Sequence, residues 1–490
     1  MFLGNSYQKL LLAITTCFIV LLSIGLKQNS DLVIELIILC FILFGLTLYI
    51  FQLDRFPYFV LLVTILFSVD VPILGSNRIS FPDEILISLM AIISVIHILW
   101  EMKFLKKIFK SPLALISLCY VAILFVTSAF SSMPTISIKF SLINILFIGC
   151  GLFSTFMILD RKKWSFQQFL HLLSIPLVLL IIYIIIHFSQ YNFSSKAAIE
   201  MALPFFKDHT LLSACLCMFI PLYLFYPIIY TNSNIYLKVS AILLAVLLLV
   251  IIMISSSRAS WLSLVLSLCF YLFIRIKGNM KGLIILLTIF IGVGYLFSSS
   301  ISEKLNANSN SSSSEYAGLS EQVLSISNVK SDVSNLERIN RWKCAIRMFK
   351  DKPIVGFGPG TYQFQYLTYQ QQKDKTAISV DNPFNTKQGY GGSAHSEYFL
   401  ILSEMGILGF ITWLGIIFTI FHTFFRIYYK SIHHQNKYIS LSIILSLVTF
   451  LSHSFFNNFL NTAKTGLIFW ILIGFLVFMN NKLLQDEERI

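Results

Sequence analysis

Leu237-Lys238-Val239-Ser240-Ala241-Ile242-Leu243-Leu244-Ala245-Val246-Leu247-Leu248-Leu249-Val250-Ile251-Ile252-Met253-Ile254-Ser255 carries one charge, close to its start. A helix of this length, rising about 1.5 Å per residue, crosses a hydrocarbon core of about 30 Å. Lipid offers no partner to a backbone N–H or C=O, so the stretch must close its own hydrogen bonds as a helix. It does not stand alone. Comparable apolar runs fall near residues 10 to 26, 32 to 51, 58 to 75, 83 to 100, 112 to 130, 136 to 159 and 168 to 188. Others lie near 210 to 230, 259 to 275, 280 to 298, 400 to 425, 438 to 456 and 463 to 480. The pattern predicts an all-α polytopic membrane protein of about 12 to 14 transmembrane helices. Composition agrees: 57% of the 490 residues are hydrophobic, 12% are charged, 46 are Phe, and the mean hydropathy is +0.79. These values lie outside the range of soluble domains.

Basic residues in short loops are retained on the cytoplasmic side. Four clusters occur: Lys103, Lys106, Lys107 and Lys110; Arg161, Lys162 and Lys163; Arg275, Lys277 and Lys281; and Arg426, Lys430 and Lys437. Alternating spans bring all four to one side, which predicts cytoplasmic termini and places the long polar segment 299–395 outside. The net charge of +13 is therefore read as a topology signal. No basic, aromatic-interleaved soluble domain is present to bind nucleic acid. The N-terminus has a short polar lead and an apolar run without a small-residue cleavage site, which predicts an uncleaved first span. The expected organisation is a transmembrane bundle over 1–298, an outer loop over 299–395 and C-terminal helices over 396–490.

Of eight cysteines, seven lie in predicted helices and only Cys344 in the outer segment, which must therefore hold together by packing. Cys215-Leu216-Cys217 lacks metal-ligand spacing. Within the outer segment, residues 306 to 315 form a polar low-complexity tract. Ser334-Asn335-Leu336-Glu337 then has capping-box spacing, and Ile339, Trp342, Ala345, Ile346 and Phe349 recur at helical steps. An amphipathic helix ending at Lys352-Pro353 is expected to lie on the membrane face of the protein, with Arg338, Arg341, Lys343, Arg347 and Lys350 on its other faces. Gly356-Phe357-Gly358-Pro359-Gly360 follows as a turn; it lacks the Lys-Ser/Thr ending of a nucleotide-binding loop.

Arg338-Ile339-Asn340-Arg341-Trp342-Lys343-Cys344-Ala345, Pro353-Ile354-Val355-Gly356-Phe357-Gly358-Pro359-Gly360, Ala394-His395-Ser396-Glu397-Tyr398 and Glu404-Met405-Gly406-Ile407-Leu408-Gly409 together resemble the O-antigen ligase and polymerase (Wzy-like) superfamily. The match is dense over residues 335 to 410. It is supported upstream by Ser255-Ser256-Ser257-Arg258-Ala259-Ser260. The resemblance implies an inverting glycosyltransferase of the bacterial inner (cytoplasmic) membrane that takes a glycan from an undecaprenyl-diphosphate carrier on the periplasmic face. It implies no cofactor, no metal and no nucleotide sugar. The implied partners are the polyprenyl-diphosphate-linked donor, a lipid A core or other glycan acceptor, and the bilayer.

The residue types suit that chemistry. Transfer needs cations to hold the leaving diphosphate and a base to take the proton of the attacking hydroxyl. Arginine binds phosphate oxygens bidentately and stays charged. Arg258, at the outer end of a predicted helix, and Arg338, four residues before Trp342, are the candidates for the diphosphate. The alternative for Arg258 is an interfacial anchor that snorkels. Arg341, one turn on, is a further candidate, although a solvated helix face also explains it. His395 is the candidate base, because an imidazole of ordinary pKa is mostly neutral near pH 7, and the preceding Gly391-Gly392 lets backbone approach. Glu397 orients His395 or an acceptor sugar, or satisfies backbone donors in the first helical turn. Glu404 is a further candidate of that kind. Asp208 and His209, in Phe206-Lys207-Asp208-His209-Thr210, either line the same cavity or cap a helix. His453 and Asn457 are polar where lipid penalises polarity, which points to a cavity.

The leading expectation is an O-antigen ligase acting on lipid A core. A repeat-unit polymerase of the same superfamily and a protein O-oligosaccharyltransferase share its donor. A polysaccharide transporter is the alternative of a different class; transporters often carry internal repeats, and none is evident here. No Asp-x-Asp pair stands in an outer loop to hold a metal on the diphosphate.

Overall fold

The computed structural model describes residues 43–50, 53–72, 78–194, 197–285, 288, 333–371, 374 and 392–488. The expected span at 10–26, most of those at 32–51 and 280–298, the uncleaved N-terminus and the polar tract 306–315 lie outside the described residues.

Among those residues nine helices are long and apolar enough to cross a membrane. In chain order the helices are α1 (Leu43–Ile50), α2 (Arg55–Thr64), α3 (Asp83–Trp100), α4 (Met102–Phe109), α5 (Pro112–Ala129), α6 (Pro134–Asp160), α7 (Phe166–Ser189) and α8 (His209–Ile229). There follow α9 (Ile235–Ile254), α10 (Arg258–Arg275), α11 (Val333–Asp351), α12 (Tyr362–Tyr369), α13 (Glu397–Lys430), α14 (His434–His453) and α15 (Ala463–Glu487). The chain is thus an all-α polytopic membrane protein, and α9 is the quoted stretch, capped by Asn234 Oδ1 accepting from Tyr236 N at 3.0 Å. Pro112 and Pro134 open α5 and α6, where their missing N–H costs nothing.

Two expected spans differ. The run at 58 to 75 does not continue as a helix. After α2 and a 3-10 turn at Ile65–Phe67 the chain forms an antiparallel hairpin, β1 (Val69–Pro72) with β2 (Arg78–Phe81), pairing Val69 with Phe81 and Pro72 with Arg78. Asp70 and Pro72 interrupt the apolar run, and the residue before a proline disfavours helix. The run at 438 to 456 does form α14. Its Ser440, Ser442, Ser446 and Thr449 are buried with Leu441, Ile443, Ile444 and Leu447, so α14 is a core helix walled from lipid by α8, α10, α13 and α15. Small hydroxylated residues permit that close packing, and Ser267 of α10 donates to Leu445 O at 3.0 Å.

The four basic clusters meet at one end of the bundle. Lys107 pairs with Asp160 at 2.6 Å, Lys110 with Glu488 at 2.7 Å and Arg426 with Glu487 at 2.5 Å, while Tyr429 OH donates to Gly278 O. The opposite end gathers the start of α8, the Ser255–Ser257 turn, the hairpin, the end of α14 and the start of α13.

At that second end the outer segment docks through backbone. Residues 353–358 run against a break in α13 at Gly406 (φ +61°): Phe357 N bonds Ser403 O at 3.2 Å, Gly358 N bonds Glu404 O at 2.8 Å and Ile407 N bonds Pro353 O at 2.8 Å. A Cβ added to Gly356 (φ +68°) overlaps the backbone of Glu404, and one added to Gly406 overlaps Ile354 O. Both positions need glycine for conformation and for contact. The amphipathic helix is present as α11, already helical at Val333, so Ser334 lies inside its first turn. Its protein-facing side is not the expected stripe: Cys344, Ala345 and Met348 are buried against Phe357, Tyr362, Tyr366, Ala394 and Leu400, whereas Ile346 is exposed. Arg341, expected on a polar face, is buried with them.

Candidate active site

The site is assembled on the irregular segment Gly392–Ser396, which enters α13. His395 adopts φ +49°, a left-handed conformation that costs a non-glycine residue about 1 kcal/mol. Three contacts hold it. Arg341 NH1 donates to Ser393 O at 2.9 Å, Ser393 Oγ donates to Asn458 Oδ1 at 2.5 Å, and Trp342 Nε1 reaches His395 O at 3.4 Å. Trp342 is itself stacked on Phe399, with ring centroids 5.1 Å apart. Strain maintained by surrounding packing is a recurrent feature of functional sites. Ser256, in the turn before Arg258, is a second left-handed residue at this end of the bundle, at φ +56°.

Arg341 is locked from all sides. Its Nε donates to Glu337 Oε1 at 3.0 Å, its guanidinium carbon lies 4.6 Å from the Tyr366 ring centroid, and its carbonyl accepts from Tyr362 OH at 2.9 Å. The pairing with Glu337 one turn earlier is what makes burial of this charge tolerable. Glu337 is therefore not a capping residue but the counter-charge of Arg341.

Around the imidazole stand Arg341, Arg338, Asp208 and Asn457. Burial first, then the two arginines, disfavours the imidazolium; Asp208 and a hydrogen bond that the ring donates to the Asn457 side chain oppose them. The balance lowers the His395 pKa from 6.5 to about 3. Arg338 Nε donates to Phe456 O at 3.3 Å, tying α11 to the loop after α14. His453, 1% exposed, ends α14 and has Arg338 and Asp208 as its charged neighbours. Neither of its ring nitrogens has a hydrogen-bond partner; nor do Asn457 Nδ2, Asn461 Oδ1 and Ser396 Oγ nearby. Buried polar atoms are normally satisfied, so this patch is a set of donors and acceptors open to a ligand.

Of the two alternatives for Asp208, the structure shows the cap directly. It caps α8, Oδ1 accepting from Thr210 N at 2.8 Å, and it faces His395 and His453 electrostatically. His209 Nδ1 lies 3.3 Å from Asp208 Oδ1. Arg258 is the first residue of α10, directly after the Ser255 turn, whose hydroxyl meets Ser213 of α8 at 2.6 Å. Glu397 is fully buried; its carboxylate accepts from Leu460 N at 3.4 Å and its own N–H donates to Ser454 O at 2.8 Å. It thus fastens the 454–460 loop to α13 and does not cap its own first turn. Glu404 is not beside His395: its two oxygens accept from Gly360 N and Tyr362 N, each at 2.8 Å, capping α12. Burial pushes the Cys344 thiol up to about 12, so it is no nucleophile.

Sequence reasoning passed over Lys464. Its ammonium is buried 4.4 Å from the Phe206 ring centroid and donates to Ser68 O at 3.0 Å and to Phe205 O. It thereby ties the hairpin and the Phe205–Asp208 strap to α15, and Lys207 pairs with Asp70 across the same junction. An ionisable residue at the head of an apolar run was the available signal. We predict that Lys464→Met lowers turnover about ten- to hundredfold by displacing Asp208, and that the loss is much smaller in an Asp208→Asn background. Equal, additive losses in both backgrounds would sink the coupling.

Residues 243–414 match the family model described as O-antigen ligase. No curated protein matches the chain. The matched region runs from within α9 into α13 and contains Arg258, Arg338, Arg341, His395, Glu397 and Glu404. The chain is thus a multi-pass helical membrane protein of which residues 243–414 are similar to the O-antigen ligase family, a similarity that supports a role like that of a membrane glycosyltransferase.

Proposed function

We propose that the protein transfers a glycan from an undecaprenyl-diphosphate carrier to an acceptor sugar, with inversion and without a metal, on the periplasmic face of the inner membrane. The acceptor in the preferred reading is the lipid A core. The observation that carries this reading is the convergence of Asp208 and His453 on His395 and Arg338, the latter two of which lie in the region similar to the O-antigen ligase family. His395 takes the proton of the acceptor hydroxyl as that oxygen attacks the anomeric carbon, and Arg338 with Arg258 neutralises the departing diphosphate. His453, Asn457 and Asn461 offer the mixed donors and acceptors that sugar hydroxyls require. Asp208 adds a negative charge beside His395 and His453, and His209 stands next to it. Arg341 and Glu397 act as positioning residues, because their polar atoms are engaged by Ser393 and Leu460.

Without donor, burial first and then Arg341 and Arg338 keep His395 a weak base. A diphosphate bound at Arg338 offsets that cation, which raises the ring's proton affinity at the moment the base is needed. Donor binding and base activation are coupled by charge.

The test is a lipopolysaccharide gel, with lipid-linked intermediates analysed in parallel, from a strain lacking the gene and complemented with wild type. Bare lipid A core with long lipid-linked chains accumulating supports the ligase. Core carrying a single repeat shifts the reading to a repeat-unit polymerase. An unchanged profile removes both and directs the search to protein acceptors or to transport.

A further inference from the structure

At the end of the bundle opposite His395, Tyr49, Ile50, Trp100, Glu101, Arg161 and Lys163 line a cavity of about 460 Å³. Its floor is held rigidly. Asp54, fully buried, pairs with Lys163 and, at 3.5 Å, with Arg161. The Arg161 guanidinium also meets Glu101 at 3.5 Å, bonds His97 Nδ1 at 2.8 Å and lies 4.6 Å from the Tyr49 ring centroid. An arginine fixed from several sides loses little entropy on binding an anion and presents a planar fork of donors.

The mouth of the cavity adds uncompensated charge. Lys107 is committed to Asp160 and Lys110 to Glu488. Lys103 and Lys106 of α4 and Lys162 beside Arg161 are exposed and form no ion pair among the described residues. The wall beside it is apolar: Val95, Leu99 and Trp100 at the end of α3, with Met102 and Phe109 of α4, are all more than half exposed. Phe104 and Ile108 anchor the other face of α4 in the core. Retention of positive charge on one side of a membrane explains the lysines, but it does not require a cavity with a fixed guanidinium in its floor.

We propose that this cavity binds the headgroup of an anionic glycerophospholipid from the leaflet at that end of the bundle. The phosphate lies over Arg161 and Lys163, the exposed lysines complement its charge, and the acyl chains follow Val95, Leu99 and Trp100. This is independent of the transfer chemistry at the other end, 18 residues of α3 away.

The experiment is native mass spectrometry of the detergent-purified full chain in an equal mixture of phosphatidylglycerol and phosphatidylcholine with matched acyl chains. Phosphatidylglycerol adducts are expected to survive activation preferentially, and phosphatidylglycerol alone is expected to raise the thermal midpoint. The variant Lys103→Gln/Lys106→Gln/Lys162→Gln leaves every ion pair of the floor intact and should weaken retention about fivefold for each cation removed. Asp54→Asn with Arg161→Met withdraws the fixed guanidinium together with its buried counter-charge, and should abolish the preference. Equal retention of the two lipids by wild type overturns the proposal, as does wild-type selectivity in the triple-Gln variant, which stands even if the double variant fails to fold.

Discussion

His395→Ala is expected to abolish glycan transfer, by about 10² to 10⁴-fold as removal of a general base does, while membrane insertion, protein level and the pool of lipid-linked donor stay as in wild type. Its ring bonds Asn457, and the segment is held in addition through the His395 carbonyl, Ser393 and Asn458, which the substitution leaves in place. The pH dependence is a sharper test. The base acts as neutral imidazole, and its pKa in the unliganded protein is lowered from 6.5 to about 3. Protonation therefore leaves kcat/KM undiminished as pH falls through the ordinary histidine range, and the acid limb appears only toward pH 3. In the donor complex the Arg338 cation is offset, so the acid limb of kcat should lie at higher pH than that of kcat/KM. Stability moves in the corresponding sense: between pH 6.5 and about 3 the unfolded chain binds a proton that the folded chain refuses, so folding weakens as pH falls through that window. Continued transfer by His395→Ala, or kcat and kcat/KM limbs that coincide near pH 6.5, would exclude this role.

Glu337→Ala is expected to cost about 3 to 5 kcal/mol in the docking of α11, because it leaves Arg341 as a buried charge without its counter-ion. The two side chains are 8% and 6% exposed, so solvent screens the pair little. Arg341 also carries Ser393 O, two residues before His395, so transfer should fall along with the packing. Glu337→Gln keeps an acceptor for Arg341 Nε at 3.0 Å and should be milder than Ala. Amide hydrogen exchange over 333–351 and 392–396 reads the loss directly. Unchanged protection in Glu337→Ala would mean that the pair is not what holds α11.

The helices of the bundle were legible in sequence because hydropathy is a local property: nineteen residues suffice to show that α9 must close its own backbone bonds. The motif region was legible because Arg338, His395 and Glu404 fall in short stretches whose order recurs in a family. The misread elements share a different cause. The span at 58 to 75 broke because Asp70 and Pro72 outweighed an apolar average, and the buried face of α11 was misassigned because helical periodicity records hydrophobicity without regard to counter-charges. Arg341 looked solvated until Glu337, Tyr366 and Ser393 were seen around it.

Sequence alone determined that this chain is a helical membrane protein and where its basic clusters lie, and it singled out the arginines and the histidine that are the candidates for the site. Tertiary structure alone decided which of them meet. Arg338 and Asp208 converge on His395 from opposite parts of the chain; Glu404 serves Gly360 and Tyr362, and Lys464 reaches Ser68, 396 positions away. Desolvation and pairing of a charge depend on neighbours in space, and no local pattern encodes neighbours that distant in the chain.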